Sequence, residues 1–182
     1  MEIQTKRLVL IPCTLKLVER YAERGHSFGN HVLESVQHVN SDPSQFGWGV
    51  WFMVDHQSGE LIGDMGFKGK PDKDGMVDIG YGIAKGHQQK GYATEGAKGL
   101  IEWAFSTGRV QKVKADCLQN NQASIRVLQK LGMKQIGMEG DLLLWELRSP
   151  AWSCFGSTVR KKTKNRFKKI KTLSKNFFLK TY

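Results

Sequence analysis

The chain has 182 residues, 40% of them hydrophobic, which suits one domain with its own core and excludes a disordered or fibrous protein. The formal net charge is +11, yet ten of the 28 Lys and Arg residues, and none of the acids, fall in residues 151–182. Residues 1–150 keep 18 basic against 17 acidic residues, a net of +1, so the basicity belongs to a tail and makes no case for nucleic-acid binding by the body.

Residues 3–11 alternate and are rich in β-branched residues and leucine, which predicts a first strand ended by Pro12. This opening carries mixed charges and no unbroken apolar stretch, so no secretory leader is expected. Thr14 is placed to cap a helix running to about Arg24, with Leu15, Val18 and Ala22 on one face and Gly25 as its stop. Residues 31–39 suit a second short helix, and residues 41–44 (Ser-Asp-Pro-Ser) read as a loop. Strands are expected at 49–55, 61–67 and 77–83, with polar turns at 57–60 and 70–75 between them.

Residues 85–91 form a polar loop with two glycines, and Ala93, Ala97, Leu100, Ile101 and Ala104 then recur at helical spacing until Gly108. Residues 110–118 alternate, with Val113, Ala115 and Cys117 on one face and Lys112, Lys114 and Asp116 on the other. Asn120 or Asn121 caps a helix carrying Ile125, Leu128 and Leu131, which Gly132 ends in the left-handed conformation. Residues 134–137 and 142–147 are the last strands, which makes the chain α+β. Cys13, Cys117 and Cys154 are odd in number and widely spaced, and no HExxH pattern occurs. No metal site or disulfide framework is expected, and a reducing cytoplasm fits best. No apolar run approaches the roughly 20 residues of a membrane helix.

The most informative segment is 79–95, where a strand enters a short loop that opens a helix. Such a loop offers free backbone N–H groups at the positive end of a helix, a natural seat for phosphate. Gly91 lets the backbone approach a ligand, Ala93 leaves little side chain in the way, and Lys90 can add charge. The same glycines also suit a plain strand–loop–helix connection. The spacing matches neither GxxxxGK[ST] nor GxGxxG, which disfavours nucleoside triphosphates and dinucleotides.

Gln88-x-x-Gly91-x-Ala93 resembles the Gln/Arg-x-x-Gly-x-Gly/Ala signature of the GNAT family of N-acetyltransferases. Residues 5–10 (TKRLVL) resemble that family's opening strand, and residues 61–67 (LIGDMGF) its hairpin return. Residues 121–133 (NQASIRVLQKLGM) are similar to the Asn-x-x-Ser…Leu-x-Lys-x-Gly-Phe block of its RimJ/RimL-type branch, which modifies ribosomal-protein N-termini. The likeness covers residues 3–148 in the expected order, which sets a family domain at 1–150 and leaves 151–182 as a basic tail outside it.

The resemblance implies a strongly twisted, mixed, mostly antiparallel sheet flanked by helices, with two central parallel strands, 77–83 and 110–118, splayed apart around acetyl-coenzyme A. It places that co-substrate on Ile83, Gln88, Gln89, Lys90, Gly91, Tyr92, Ala93, Thr94 and Asn121. The splay is expected at a bulge where Gly80 and Gly82 flank Tyr81. Gly82 departs from the branch, where an aromatic is common; extra room by the thioester and a structural turn-out of the strand both account for it.

Acetyl transfer needs a neutral amine, a donor for the oxyanion and help for the departing thiolate. An α-amine loses its proton about 2.5 pH units below a lysine, a difference of about 3.5 kcal/mol, so a modest base reached through water suffices for α-amines. Asp78 is the first candidate base, at a place where the branch often carries an acid; Asp64 is the second, and a solvated surface acid is the plain alternative for Asp78. Glu95, in the first turn of the loop's helix, suits the helix dipole better than chemistry. The backbone N–H near Tyr81 is the implied oxyanion donor. Many relatives carry a thiolate-protonating tyrosine where this chain has Leu128, and the branch suggests Ser124 as the substitute hydrogen-bond donor. Ser124 as a residue bonding its own helix start, and Asn121 as a cap, contact or both, stay open.

The acceptor can be a protein N-terminus or a small primary amine, and monomer and homodimer both remain open. Residues 160–171 of the tail can touch ribosomal RNA or an anionic membrane surface, or form a plain extension. A rival to the enzyme is a weakly catalytic acetyl-coenzyme A-binding module that docks on RNA through this tail.

Overall fold

A computed structural model describes residues 1–150. Residues 151–182, and with them the basic segment 160–171 and its expected RNA contact, lie outside the described residues. The elements are β1 (Ile3–Gln4), β2 (Leu8–Pro12), α1 (Leu15–Ala22), α2 (Asn30–Ser41), β3 (Val50–Asp55), β4 (Leu61–Phe67), β5 (Met76–Ile83), α3 (Tyr92–Ser106), β6 (Lys112–Leu118), α4 (Gln122–Lys130), β7 (Lys134–Glu139) and β8 (Leu142–Arg148), with 3-10 turns at Pro43–Gln45 and Lys85–His87. The strands form one mixed sheet in the order β1-β2-β3-β4-β5-β6-β8-β7. Every neighbouring pair is antiparallel except β5 and β6. The architecture is the α+β arrangement that the resemblance implies.

Helices cover both faces of β3. Trp51 and Met53 join the core under α3 and α4, while Val50, Phe52 and Val54 join a second core under α1 and α2. That double burial explains why β3 reads as an unbroken apolar run. Helix α3 lies close to the sheet because Gly96 has no side chain: a Cβ there would sit 2.6 Å from Met65 Cε. Helix α4 buries Leu128, 1% exposed, with Ile125 and Leu131 packed at the core's rim.

Three expectations change. The single strand at 3–11 is broken by a turn in which Thr5 N–H donates to Leu8 C=O at 2.8 Å. The pull comes from Glu95 on α3, which accepts hydrogen bonds from the Thr5 hydroxyl, the Arg7 backbone N–H and Arg7 Nε, all at 2.7 Å. Helix α1 buries Val18 and Tyr21 rather than Leu15 and Ala22, because Tyr21 packs edge-on against Phe52 with 5.7 Å between ring centroids. Helix α2 runs to Ser41, into the expected loop, and Asp42 then caps the 3-10 turn through Ser44 N–H. Among the described residues no helix is long and apolar enough to cross a membrane, and no cluster of ligating side chains could hold a metal ion.

Candidate active site between the splayed strands

Strands β5 and β6 pair only at Met76↔Lys112, Val77↔Val113 and Asp78↔Lys114. Beyond Asp78, β5 stays on β4 as far as Gly63↔Ile83, while β6 stays on β8 as far as Leu118↔Leu142. The two parallel strands therefore part at Ile79. The expected bulge at Gly80–Gly82 is absent, since the β4–β5 register is unbroken there. A side chain at Gly63 would run into the Gly82 carbonyl, so glycine at 63 lets β5 lie tightly on β4 and leave β6 without a bulge.

Backbone direction alternates along a strand. Lys68 N–H donates to Asp78 C=O at 2.9 Å, so Asp78, Gly80 and Gly82 turn their peptide groups to β4. Tyr81, between them, turns its N–H to the gap. The Tyr81 phenol crosses the gap and donates to the Ser124 carbonyl at 3.4 Å. Burial pushes this phenol up to about 12, more than the Ser124 hydrogen bond lowers it, so it stays protonated.

The gap widens into an open cavity of about 710 Å³. One wall is β5's end and the loop to α3, with Tyr81, Ile83, Gln88, Gln89, Gly91, Tyr92, Ala93 and Thr94; the other is α4, with Asn121 and Ser124. Gln89 and Gly91 hold left-handed φ angles of 61° and 83°. Glycine tolerates that conformation and glutamine tolerates it less well. The first backbone amides of α3 have no partner within the helix, and Glu95 N–H is the first to bond back, to Gly91 C=O at 3.1 Å. Asn121 caps α4 by accepting from Ser124 N–H at 3.1 Å.

Two predicted residues brace the loop from within. Gln88 Nε2 donates to Ile83 C=O at 3.0 Å. Lys90 Nζ folds back onto Gly86 C=O at 2.8 Å, away from the cavity wall. Asp78 is exposed, in the paired stretch beside Lys114 and outside the cavity.

Sequence reasoning missed several neighbours. Arg126 and Lys130, four apart on α4, line the cavity and bring positive charge to it; their i, i+4 spacing was the available signal. His87 also lines it, with Nε2 3.1 Å from Glu60 Oε1. On the α1/α2 side of the sheet, Asp64 stands across from Gly82 in register, and the residue is 4% exposed. His31, in the first turn of α2, places Nε2 3.1 Å from Asp64 Oδ1. Burial first, and the nearby Asp64 charge second, raise the Cys13 thiol to about 12 and leave it inert. No sequence signal joined His31 to Asp64, which lie 33 residues apart.

The family model for an acetyltransferase (GNAT) domain matches residues 13–134. The Bacillus subtilis (strain 168) protein YjdG, described as an uncharacterized N-acetyltransferase, is 41% identical over 86 residues, 47% of this chain and 51% of that protein. YkkB of the same organism is 33% identical over 89 residues, 48% of this chain and 52% of its own length. The alignments thus span about half the length of these curated relatives. Among solved structures, RimL, a ribosomal L7/L12 alpha-N-protein acetyltransferase in complex with coenzyme A, superposes with a TM-score of 0.68 over 81% of this chain and 98% of that chain, at 15% identity. An acetyltransferase from Agrobacterium tumefaciens str. C58 gives 0.64 over 82% and 95%, at 21% identity. At these identities the likeness is one of fold.

Proposed function

The chain belongs to the GNAT acetyltransferase family, and from that premise we propose that it moves acetyl from acetyl-coenzyme A directly to a primary amine. The observation that carries the reading is the parting of β5 and β6 after Asp78, which opens a cavity between the Tyr81 amide and the start of α3. The amides of Gln89–Thr94 would take the pyrophosphate, and Arg126 and Lys130 would face the coenzyme's remaining charge.

The amine nitrogen attacks the thioester carbonyl, and the Tyr81 N–H stabilises the oxyanion. The C–S bond then breaks, and the thiolate leaves beside the Ser124 hydroxyl, a hydrogen-bond donor in place of the acid missing at Leu128; the Tyr81 phenol helps by turning its one proton from the Ser124 carbonyl to the sulfur. The amine's proton goes to a carboxylate, directly or through water. Asp64 is preferred to Asp78 because it stands across from Gly82, beyond the point where β5 and β6 part, whereas Asp78 lies within their paired stretch.

Peptide α-amines head the acceptor panel, since the RimL fold neighbour is named for a protein N-terminus; small primary amines complete it. Release of free thiol from acetyl-coenzyme A with that panel tests the reading. Amine-dependent thiol release is expected, and coenzyme binding without release for any amine would mean a binding module instead.

A further inference from the structure

Arg7 lies in the turn between β1 and β2, behind the loop and outside the cavity lining. Its Nε meets Glu95 Oε2 at 2.7 Å, its Nη1 donates to the Lys90 carbonyl at 3.0 Å, and its guanidinium lies 4.4 Å from the centre of the Tyr92 ring. The carbonyl it grips lies between the two left-handed residues, Gln89 and Gly91. A trans peptide is planar, so the Lys90 C=O and the Gly91 N–H point opposite ways. Holding that carbonyl toward Arg7 turns the Gly91 N–H away from it, toward the cavity that Gly91 lines.

We infer that Arg7 is a positioning residue for the anion site: with Glu95 as its anchor, it holds the Lys90–Gly91 peptide in the orientation that presents the Gly91 amide to the pyrophosphate of a coenzyme A thioester. The inference rests on the proposed reading of this cavity. A fixed donor binds an anion without the ordering cost that a free loop meets.

The test is calorimetry with coenzyme A and steady-state kinetics, using Arg7→Ala, Arg7→Lys and Thr5→Val. Thr5→Val removes the hydroxyl's hydrogen bonds to Glu95 and to Leu8 in the turn but keeps the Arg7 guanidinium that holds the Lys90 carbonyl, so it should lower Tm and leave Kd within about twofold. Arg7→Ala should raise Kd and the KM for acetyl-coenzyme A by about tenfold or more, with kcat at saturation changed less than about twofold. Arg7→Lys keeps the charge but has no planar fork to span Glu95 and the Lys90 carbonyl, so it should fold and still bind weakly. Should Arg7→Ala fail to fold, Arg7→Lys carries the measurement. A wild type that binds coenzyme A while the folded Arg7 variants bind equally well would overturn the inference. A wild type that does not bind coenzyme A would overturn the reading of the cavity itself.

Discussion

Two carboxylates compete for the amine's proton, and their surroundings separate them. Asp64 is buried against His31 and stands across from Gly82 beyond the parting of β5 and β6, whereas Asp78 is exposed beside Lys114. Asp64→Asn should therefore lower kcat/KM by about 10²–10⁴, with the loss shrinking as pH rises and the amine arrives neutral. Asp78→Asn should stay near wild type; the opposite pattern in the two pH profiles would return the role to Asp78. With two donors proposed for the departing sulfur, neither Ser124→Ala nor Tyr81→Phe should abolish turnover. Each should cost about 1–3 kcal/mol in activation free energy, and the double variant should cost more than either. Burial holds the Tyr81 phenol protonated until about pH 12, so no alkaline limb in the rate below that range should vanish with Tyr81→Phe. At Gly91, with φ at 83°, any side chain is strained, and Gly91→Glu adds a carboxylate at the proposed pyrophosphate seat. Loss of coenzyme binding with the fold retained is the expected calorimetric result.

Elements were legible where their signals are local. Thr14 and Asn121 both cap the helices that follow them, through Leu17 N–H and Ser124 N–H, and Gly132 takes a left-handed φ of 76°. A cap or a left-handed turn needs only its neighbours, so one stretch of chain contains the whole cause. The loop that opens α3 at Gly91 was legible for the same reason. What the sequence hid depends on residues far apart: the break at Thr5–Leu8 answers to Glu95, about ninety residues on, and His31 meets Asp64 only because α2 packs over the sheet. Glu95, read as a dipole complement, does lie in the first turn of α3, and it is also the anchor between the β1–β2 turn and that helix. Burial works against its ionisation, but hydrogen bonds from Thr5 and Arg7 and the Arg7 charge outweigh burial and hold its carboxyl below the usual range. A lowered pKa stabilises the fold fully above the unfolded value of about 4.3, and that contribution is lost as pH falls through the lower folded value. Glu95→Gln should thus be less stable than wild type at pH 7, by about 1–2 kcal/mol, and the gap in denaturant midpoints should close below about pH 4. A gap that persists in acid would mean that packing, rather than the ionised carboxylate, holds the turn to the helix.

At the scale of the whole molecule, charge is divided near residue 150. Strand β8 ends at Arg148, and Ser149 N–H bonds to Gln111 C=O at 2.9 Å, which ties the strand's end to the start of β6. Among the described residues, two hydrophobic cores, the splayed strands and every residue named for the proposed chemistry come before that point. The ten uncompensated positive charges lie after it. We therefore expect a chain ending at residue 150 to fold with an unchanged Tm, to bind coenzyme A as the full chain does, and to turn over a small neutral amine at the same rate. Its net charge falls from +11 to +1, so any affinity for RNA that rests on residues 160–171 should disappear. In the full chain that affinity should already fall steeply with added salt, because neutralised phosphates release their counterions. Filter binding to a ribosomal RNA fragment across a salt series, alongside the thiol-release assay, reads both arms. A shortened chain that keeps salt-dependent RNA binding would place the contact on the nearly neutral body. One that loses turnover on the small amine would show instead that the catalytic unit extends past residue 150.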